Sequence, residues 1–138
     1  MLYNGIRKGG DLVFTWIKNH SNQYVLTLSS TSITLNASAA ALFQDVRYCM
    51  VGINEQQQCF AIRPVSKDEI DKHLVDSNSL HKITIGKGYG RITSKIIMEQ
   101  LSNLLNRDLD ALKVAADYDE KHQYLICDYR SYMNEGGR

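Results

Sequence analysis

The chain spells one pattern twice, and this repetition limits its fold more than any other feature. Ile33-Thr34 leads into a helix-forming run through Leu42, a strand containing Val51, a polar turn and the strand Phe60-Ala61-Ile62. Ile92-Thr93 leads into a second helical run through Leu101, a strand containing Val114, a turn and the strand Tyr124-Leu125-Ile126. Ile33–Leu42 lies on Ile92–Leu101 without a gap, and the later parts need about five inserted residues. Few residues are identical, so the signal is one of pattern. The alternative is that strand–helix–hairpin, a common unit, recurs here by chance.

Local signals fill in this frame. Asp11–Lys18 and Gln23–Leu28 are rich in β-branched and aromatic residues and flank the turn formers Asn19–Asn22, which predicts a hairpin. Ser32–Leu35 predicts a further strand. Asn36 is placed to cap a helix over Ala37–Asp45. Arg47–Ile53 and Cys59–Val65 form a second hairpin, with Pro64, the only proline, expected at an edge or strand end. Ser66 and Glu69 make a capping box for a short helix near Lys67–Val75, with Ile70 and Leu74 as its narrow buried face. Lys82–Ile85 reads as a strand. Ile97, Leu101, Leu104 and Leu105 give the helix Lys95–Asn106 one apolar stripe, with Thr93 or Ser94 as its cap. Lys113–Tyr118 and Gln123–Tyr129 form the last hairpin, and Arg130–Arg138 is a tail. The fold class is therefore α+β: an antiparallel sheet of hairpins with two main helices, in one domain over residues 1–138. Its halves, 11–65 and 80–130, are joined by a short helix over 66–77.

The order of a short strand, a helix and a hairpin resembles the swapped-hairpin AbrB-like group, including the tandem MraZ-like proteins. The matching pieces are Ser32-Ile33-Thr34-Leu35, Phe60-Ala61-Ile62-Arg63-Pro64-Val65 and Gly90-Arg91-Ile92-Thr93. That resemblance implies DNA binding by dimers, or by tandem halves that imitate one. The chain departs from the group's pattern at Asn36 and Ser94, where it usually has proline, and in lacking a Gly-Asp turn between helix and hairpin.

The residues themselves offer one candidate site. Gly86-Lys87-Gly88-Tyr89-Gly90-Arg91 follows a strand and precedes a helix. Glycines let the backbone approach an anion, and Lys87 and Arg91 add charge. The spacing is neither a Walker A loop nor a dinucleotide fingerprint, and a plain connection is the competing reading. Arg47 and Arg63 join Lys87, Gly86, Gly88, Gly90 and Arg91 as candidate ligand- or nucleic-acid-binding residues. The tyrosines 24, 48, 118, 124, 129 and 132 read as a recognition surface or as ordinary strand residues.

Catalytic and metal chemistry find little footing. His20, His73, His81 and His122 have no metal-ligand spacing, no serine lies in a nucleophile elbow, and Asp117, Asp119 and Glu120 fall in a turn. Cys49, Cys59 and Cys127 are few and scattered, which fits reduced core thiols; a Cys49–Cys59 bridge across the hairpin is the alternative. Sixteen Lys and Arg against fifteen Asp and Glu leave a net charge of +1, so any hold on nucleic acid needs a local patch. No apolar stretch approaches the roughly 20 residues of a membrane span, and Met1–Asp11 does not resemble a secretory signal. The expectation is a cytoplasmic, non-catalytic binding or regulatory module without cofactor or metal, working as a homodimer, with double-stranded DNA or a protein as partner. An inhibitor or phage-type accessory protein is one alternative. A small enzyme or nucleotide binder using Gly86–Arg91 is another.

Overall fold

The computed structural model describes residues 12–17 and 23–134. Strands β1 (Tyr24–Leu28) and β2 (Ser32–Leu35) form a hairpin, followed by helix α1 (Ala37–Ala41). Strands β3 (Tyr48–Asn54) and β4 (Cys59–Val65) form the next hairpin, and helix α2 (Lys67–Asp71) follows it. A single 3-10 turn, Ser77–Ser79, leads to β5 (His81–Lys82), β6 (Thr84–Gly86), β7 (Tyr89–Thr93) and helix α3 (Lys95–Leu105). The hairpin of β8 (Leu112–Asp119) and β9 (Tyr124–Asp128) completes the fold. The α+β reading, mostly a sheet of hairpins, is the observed architecture; in place of the two main helices expected, the described residues hold one of eleven residues, α3, and two of five, α1 and α2.

The nine strands among the described residues join one antiparallel sheet in the order β5-β3-β4-β9-β8-β1-β2-β7-β6. Its two terminal strands, β5 and β6, are separated in sequence only by Ile83, so the sheet nearly closes on itself. Alternation along the strands sends Leu26, Leu28, Ile33, Leu35, Ile62 and Ile92 inward, where each is fully buried. Ala39 and Ala40 of α1, and Ile97, Met98, Leu101 and Leu105 of α3, join the same core. No helix among the described residues is long and apolar enough to cross a membrane.

The cap signals act as their chemistry predicts. Asn36 Oδ1 accepts the Ala39 amide at 3.1 Å, and Ser94 Oγ accepts the Ile97 amide at 3.2 Å. Ser66 and Glu69 form the full capping box. Pro64 lies one residue from the end of β4, past the last β9 partner at Ile62.

Several expectations need correction. Leu12–Ile17 carries no strand and is exposed throughout, so β1 pairs with β2 and β8 instead. The turn proposed at 19–22 lies outside the described residues. Helices α1 and α2 stop at Ala41 and Asp71, each followed by a turn in which one residue, Asp45 (φ 67°) or His73 (φ 55°), is left-handed. Leu74 is 66% exposed, so α2 has no buried stripe. Cys49 faces Pro64 and Cys59 faces Asn54, so no bridge joins them; all three thiols are free and buried.

The register makes the repetition concrete. Equivalent strands pair with each other: β2 with β7, and β4 with β9. Ile33 lies opposite its own counterpart Ile92, at an offset of 59 residues. In the second ladder Ala61 lies opposite Ile126, an offset of 65. At this offset the hairpin turns coincide. The Gln57 amide donates to Asn54 Oδ1 at 3.0 Å, and the His122 amide to Asp119 Oδ1 at 3.2 Å. Gln58 and Gln123 are both left-handed, at φ 55° and 59°. The offset grows by six residues, and α3 has eleven residues where α1 has five. The sequence alignment of Val51 with Val114 therefore shifts: Cys49 is the counterpart of Val114, both buried.

Candidate functional site

The glycine-rich segment is a hairpin, not a strand-to-helix loop. Gly86 lies opposite Tyr89, which leaves Lys87-Gly88 as a two-residue turn with Gly88 at φ +83°. Strand β7 then runs for five residues before α3 begins, so the glycines are not at the N-terminus of that helix. Two of the glycines answer to packing. A Cβ on Gly86 would fall 2.3 Å from the Tyr89 ring. One on Gly90 would lie 3.0 Å from Ile85 Cδ1 and 3.4 Å from Ala40 Cβ, where α1 packs on β7. The arrangement required of a phosphate loop, amides converging at a helix start, is absent from this hairpin.

Lys87 is exposed at the tip of the β6–β7 turn. Arg91 is exposed on β7, its guanidinium 5.6 Å from the centre of the Tyr89 ring. Arg47 is exposed, and its carbonyl accepts the Ile83 amide at 3.0 Å. Arg63 pairs with Glu69. Glu69 also accepts the Ser66 amide at 3.0 Å. That backbone bond, aided by Arg63, holds the Glu69 carboxyl below its usual range. Arg63 thus ties β4 to the cap of α2.

The sheet register reveals a different grouping around Arg91. Lys113 of β8 lies opposite Thr27 of β1, Thr27 opposite Thr34 of β2, Thr34 opposite Arg91 of β7, and Arg91 opposite Thr84 of β6. Facing residues in a ladder point to the same side, and Leu26, Ile33, Ile92 and Val114 beside this row point into the core. The row therefore lies on the outer surface. Lys113, Arg91 and Thr84 are exposed; Thr27 and Thr34 are half-buried. Five strands at about 4.8 Å spacing make it roughly 19 Å wide, with Lys113 and Arg91 roughly 14 Å apart. Threonine suits such a place because its branched Cβ favours the strand and its hydroxyl both donates and accepts. Of this row the sequence reading named only Arg91. Alternation alone would put Thr34 and Lys113 outward, but only the pairing register brings them into line.

The turns of the two long hairpins carry acidic residues: Glu55 in one, and Asp119 and Glu120, with Asp117 two residues before and Lys121 one after, at the other; Asp128 lies at the end of β9, opposite Cys59. His122 Nδ1 is 2.8 Å from Asp119, and its ring stacks on Tyr124. These bonds hold the Asp119 carboxyl low. Arg130 binds Asp128 and holds that carboxyl at about 2. An open cleft of about 540 Å³ is lined by Cys59, Asp117, Asp128 and Arg130 among others, with no histidine among the described residues that line it. Burial pushes the Cys49 and Cys127 thiols up to about 12, so neither supplies a thiolate near neutral pH. Among the described residues no group of three His, Cys, Asp or Glu is placed to hold a metal ion.

The chain matches no protein-family model, and no curated protein or solved structure is significantly similar to it.

Proposed function

We propose that this protein is a non-catalytic binding module that receives double-stranded DNA on the outer face of β8-β1-β2-β7-β6. The observation that carries this reading is the Lys113–Thr27–Thr34–Arg91–Thr84 row. Its two cations stand apart by a distance comparable with the ~12 Å width of a DNA major groove, and its hydroxyls can bond to phosphate oxygens. The approximate two-fold between the halves passes through the Ile33–Ile92 pair, next to Thr34 and Arg91 in this row. The acidic hairpin ends would turn away from the polyanion and set its orientation.

The test is fluorescence anisotropy with a mixed-sequence duplex, titrated from low to physiological salt. Binding should weaken steeply as salt rises, and Arg91→Ala and Lys113→Ala should each lower the log–log salt slope by about one. No binding at low salt, or unchanged slopes in both variants, would overturn the proposal. A second reading, a protein-interaction module, is favoured by a separate observation: Leu12–Ile17 (LVFTWI) is apolar apart from Thr15 and exposed at every residue.

A further inference from the structure

The two long hairpins differ in how their outer edges are covered. In β8, strand β1 covers the edge continuously from Leu112 to Ala116. In its counterpart β3, strand β5 covers only Tyr48 and Cys49. Among the described residues, Met50 and Val51, the counterparts of Ala115 and Ala116, have no strand on that side, and neither do Gly52–Asn54. A bare edge offers unpaired amides and carbonyls to any extended chain, and proteins usually blunt it with charge. The corresponding stretch of β8, Asp117–Asp119, carries two carboxylates. Met50–Asn54 (MVGIN) carries none, and Ile53 is exposed on it.

The same chain holds a segment suited to that edge. Leu12–Ile17 is uncharged and rich in β-branched and aromatic residues, yet it pairs with no strand among the described residues. Phe14 and Trp16 lie with ring centres 5.5 Å apart, as side chains two apart on one side of an extended chain do. Trp16 is 80% exposed and Ile17 96%. Six strand-forming residues match a five-residue edge, and neither element carries a charge that would repel its like. We infer that Leu12–Ile17 of one copy adds as a strand to the Met50–Asn54 edge of a second copy, reciprocally, giving a dimer. Strand addition supplies main-chain bonds, and the aromatic side chains supply buried area.

Trp16 is the only tryptophan, so it reports its own burial. Sedimentation equilibrium of the full chain should show a monomer–dimer transition, with Trp16 emission moving to the blue over the same concentration range. Trp16→Asp and Ile53→Lys alter exposed residues, so both variants should remain folded by circular dichroism. Each should weaken dimerisation roughly tenfold or more. Mixing Thr15→Cys chains with Ile53→Cys chains and adding a short bis-maleimide should give a covalent dimer, which pairing within one chain cannot produce. A chain monomeric at all concentrations overturns the inference, as does a dimer that neither variant weakens or a mixture that does not cross-link.

Discussion

The β3–β4 hairpin and the β8–β9 hairpin are built to one plan and differ at their borders. Both turn through an Asn or Asp that accepts the amide three residues on, and both leave the turn through a left-handed glutamine. Both place an aromatic or aliphatic side chain in the core at the same position, Phe60 in one and Leu125 in the other. The border differs because β1 pairs as one strand with both β2 and β8, whereas the matching stretch of the other half is split into β5, which pairs with β3 over two residues, and β6, which pairs with β7. The longer helix, α3, contributes four buried side chains to the core, the shorter, α1, only two alanines. What repeats is the hairpin and its cross-pairing. What varies is how much helix covers it and how much of its edge is left bare.

If the halves share one core, truncation should cost as much in either of them. Phe60 and Leu125 are each 1% exposed. Phe60→Ala should lose about 3–5 kcal/mol of stability and Leu125→Ala about 2–5 kcal/mol, measured by urea denaturation. Both should unfold in a single transition. A second transition that only one variant shifts would mean that the halves fold as separate units.

Next in size is a response to alkali that comes from two counterpart positions. Cys49 occupies the place of Val114, and Cys127 the place of Ile62, so both thiols act as small hydrophobes. Their folded-state pKa, about 12, lies above the ordinary value of 9.0. Stability from the neutral thiol is fully present below pH 9 and is lost as pH rises toward 12, because only the unfolded chain ionises in that window. The slope should be at most about 1.4 kcal/mol per pH unit for each thiol. Cys49→Val and Cys127→Val together should flatten the denaturation midpoint between pH 9 and 11, up to the share due to Tyr129, which burial also raises.

Much of this architecture was legible in the sequence, for local reasons. Asn36, Ser66 and Ser94 announce their helices because a cap needs only a side-chain oxygen and an amide three residues on. The hairpins at Asn54–Gln58 and Asp119–Gln123 are legible because turn chemistry lies within five residues. What failed depended on long-range pairing. Leu12–Ile17 has the composition of a strand, but a strand needs a partner, and β1 is already paired on both edges. Gly86–Arg91 resembles a phosphate loop because it precedes a helical pattern, yet the intervening residues pair with β2 and form β7. The Lys113–Arg91 row was invisible for the same reason, since its members lie on five strands spread along the chain.

The caps give a smaller and sharper comparison. Asn36→Ala and Ser94→Ala each remove a side-chain acceptor for a first-turn amide, worth about 1 kcal/mol. Asn36 does more than its counterpart, because its Nδ2 also donates to the Gln23 carbonyl at 3.0 Å, tying the start of α1 to the start of β1. Asn36→Ala should therefore be the more destabilising by a few tenths of a kcal/mol to about 1 kcal/mol. Asn36→Ser, which keeps the cap but loses that donor, should cost less than Asn36→Ala by about the 1 kcal/mol of the cap. Equal losses for Asn36→Ala and Ser94→Ala would mean that the bond to Gln23 adds nothing.

The finest test uses the two glutamines. Gln58 and Gln123 hold a backbone conformation that costs a side-chain-bearing residue roughly 1 kcal/mol and glycine almost nothing. Gln123 is exposed, so Gln123→Gly should raise stability by up to about 1 kcal/mol, less the entropy that glycine restores to the unfolded chain. Gln58 differs from its counterpart in its surroundings. Its side-chain amide reaches Met133 Sδ at 3.5 Å, and its carbonyl accepts the Tyr129 amide at 3.0 Å. Gln58→Gly keeps the carbonyl bond but gives up the side-chain contact, so it should gain less than Gln123→Gly. If both gained equally, the contact between the first turn and the segment after β9 would carry no weight, and the two turns would be equivalent in energy as well as in form.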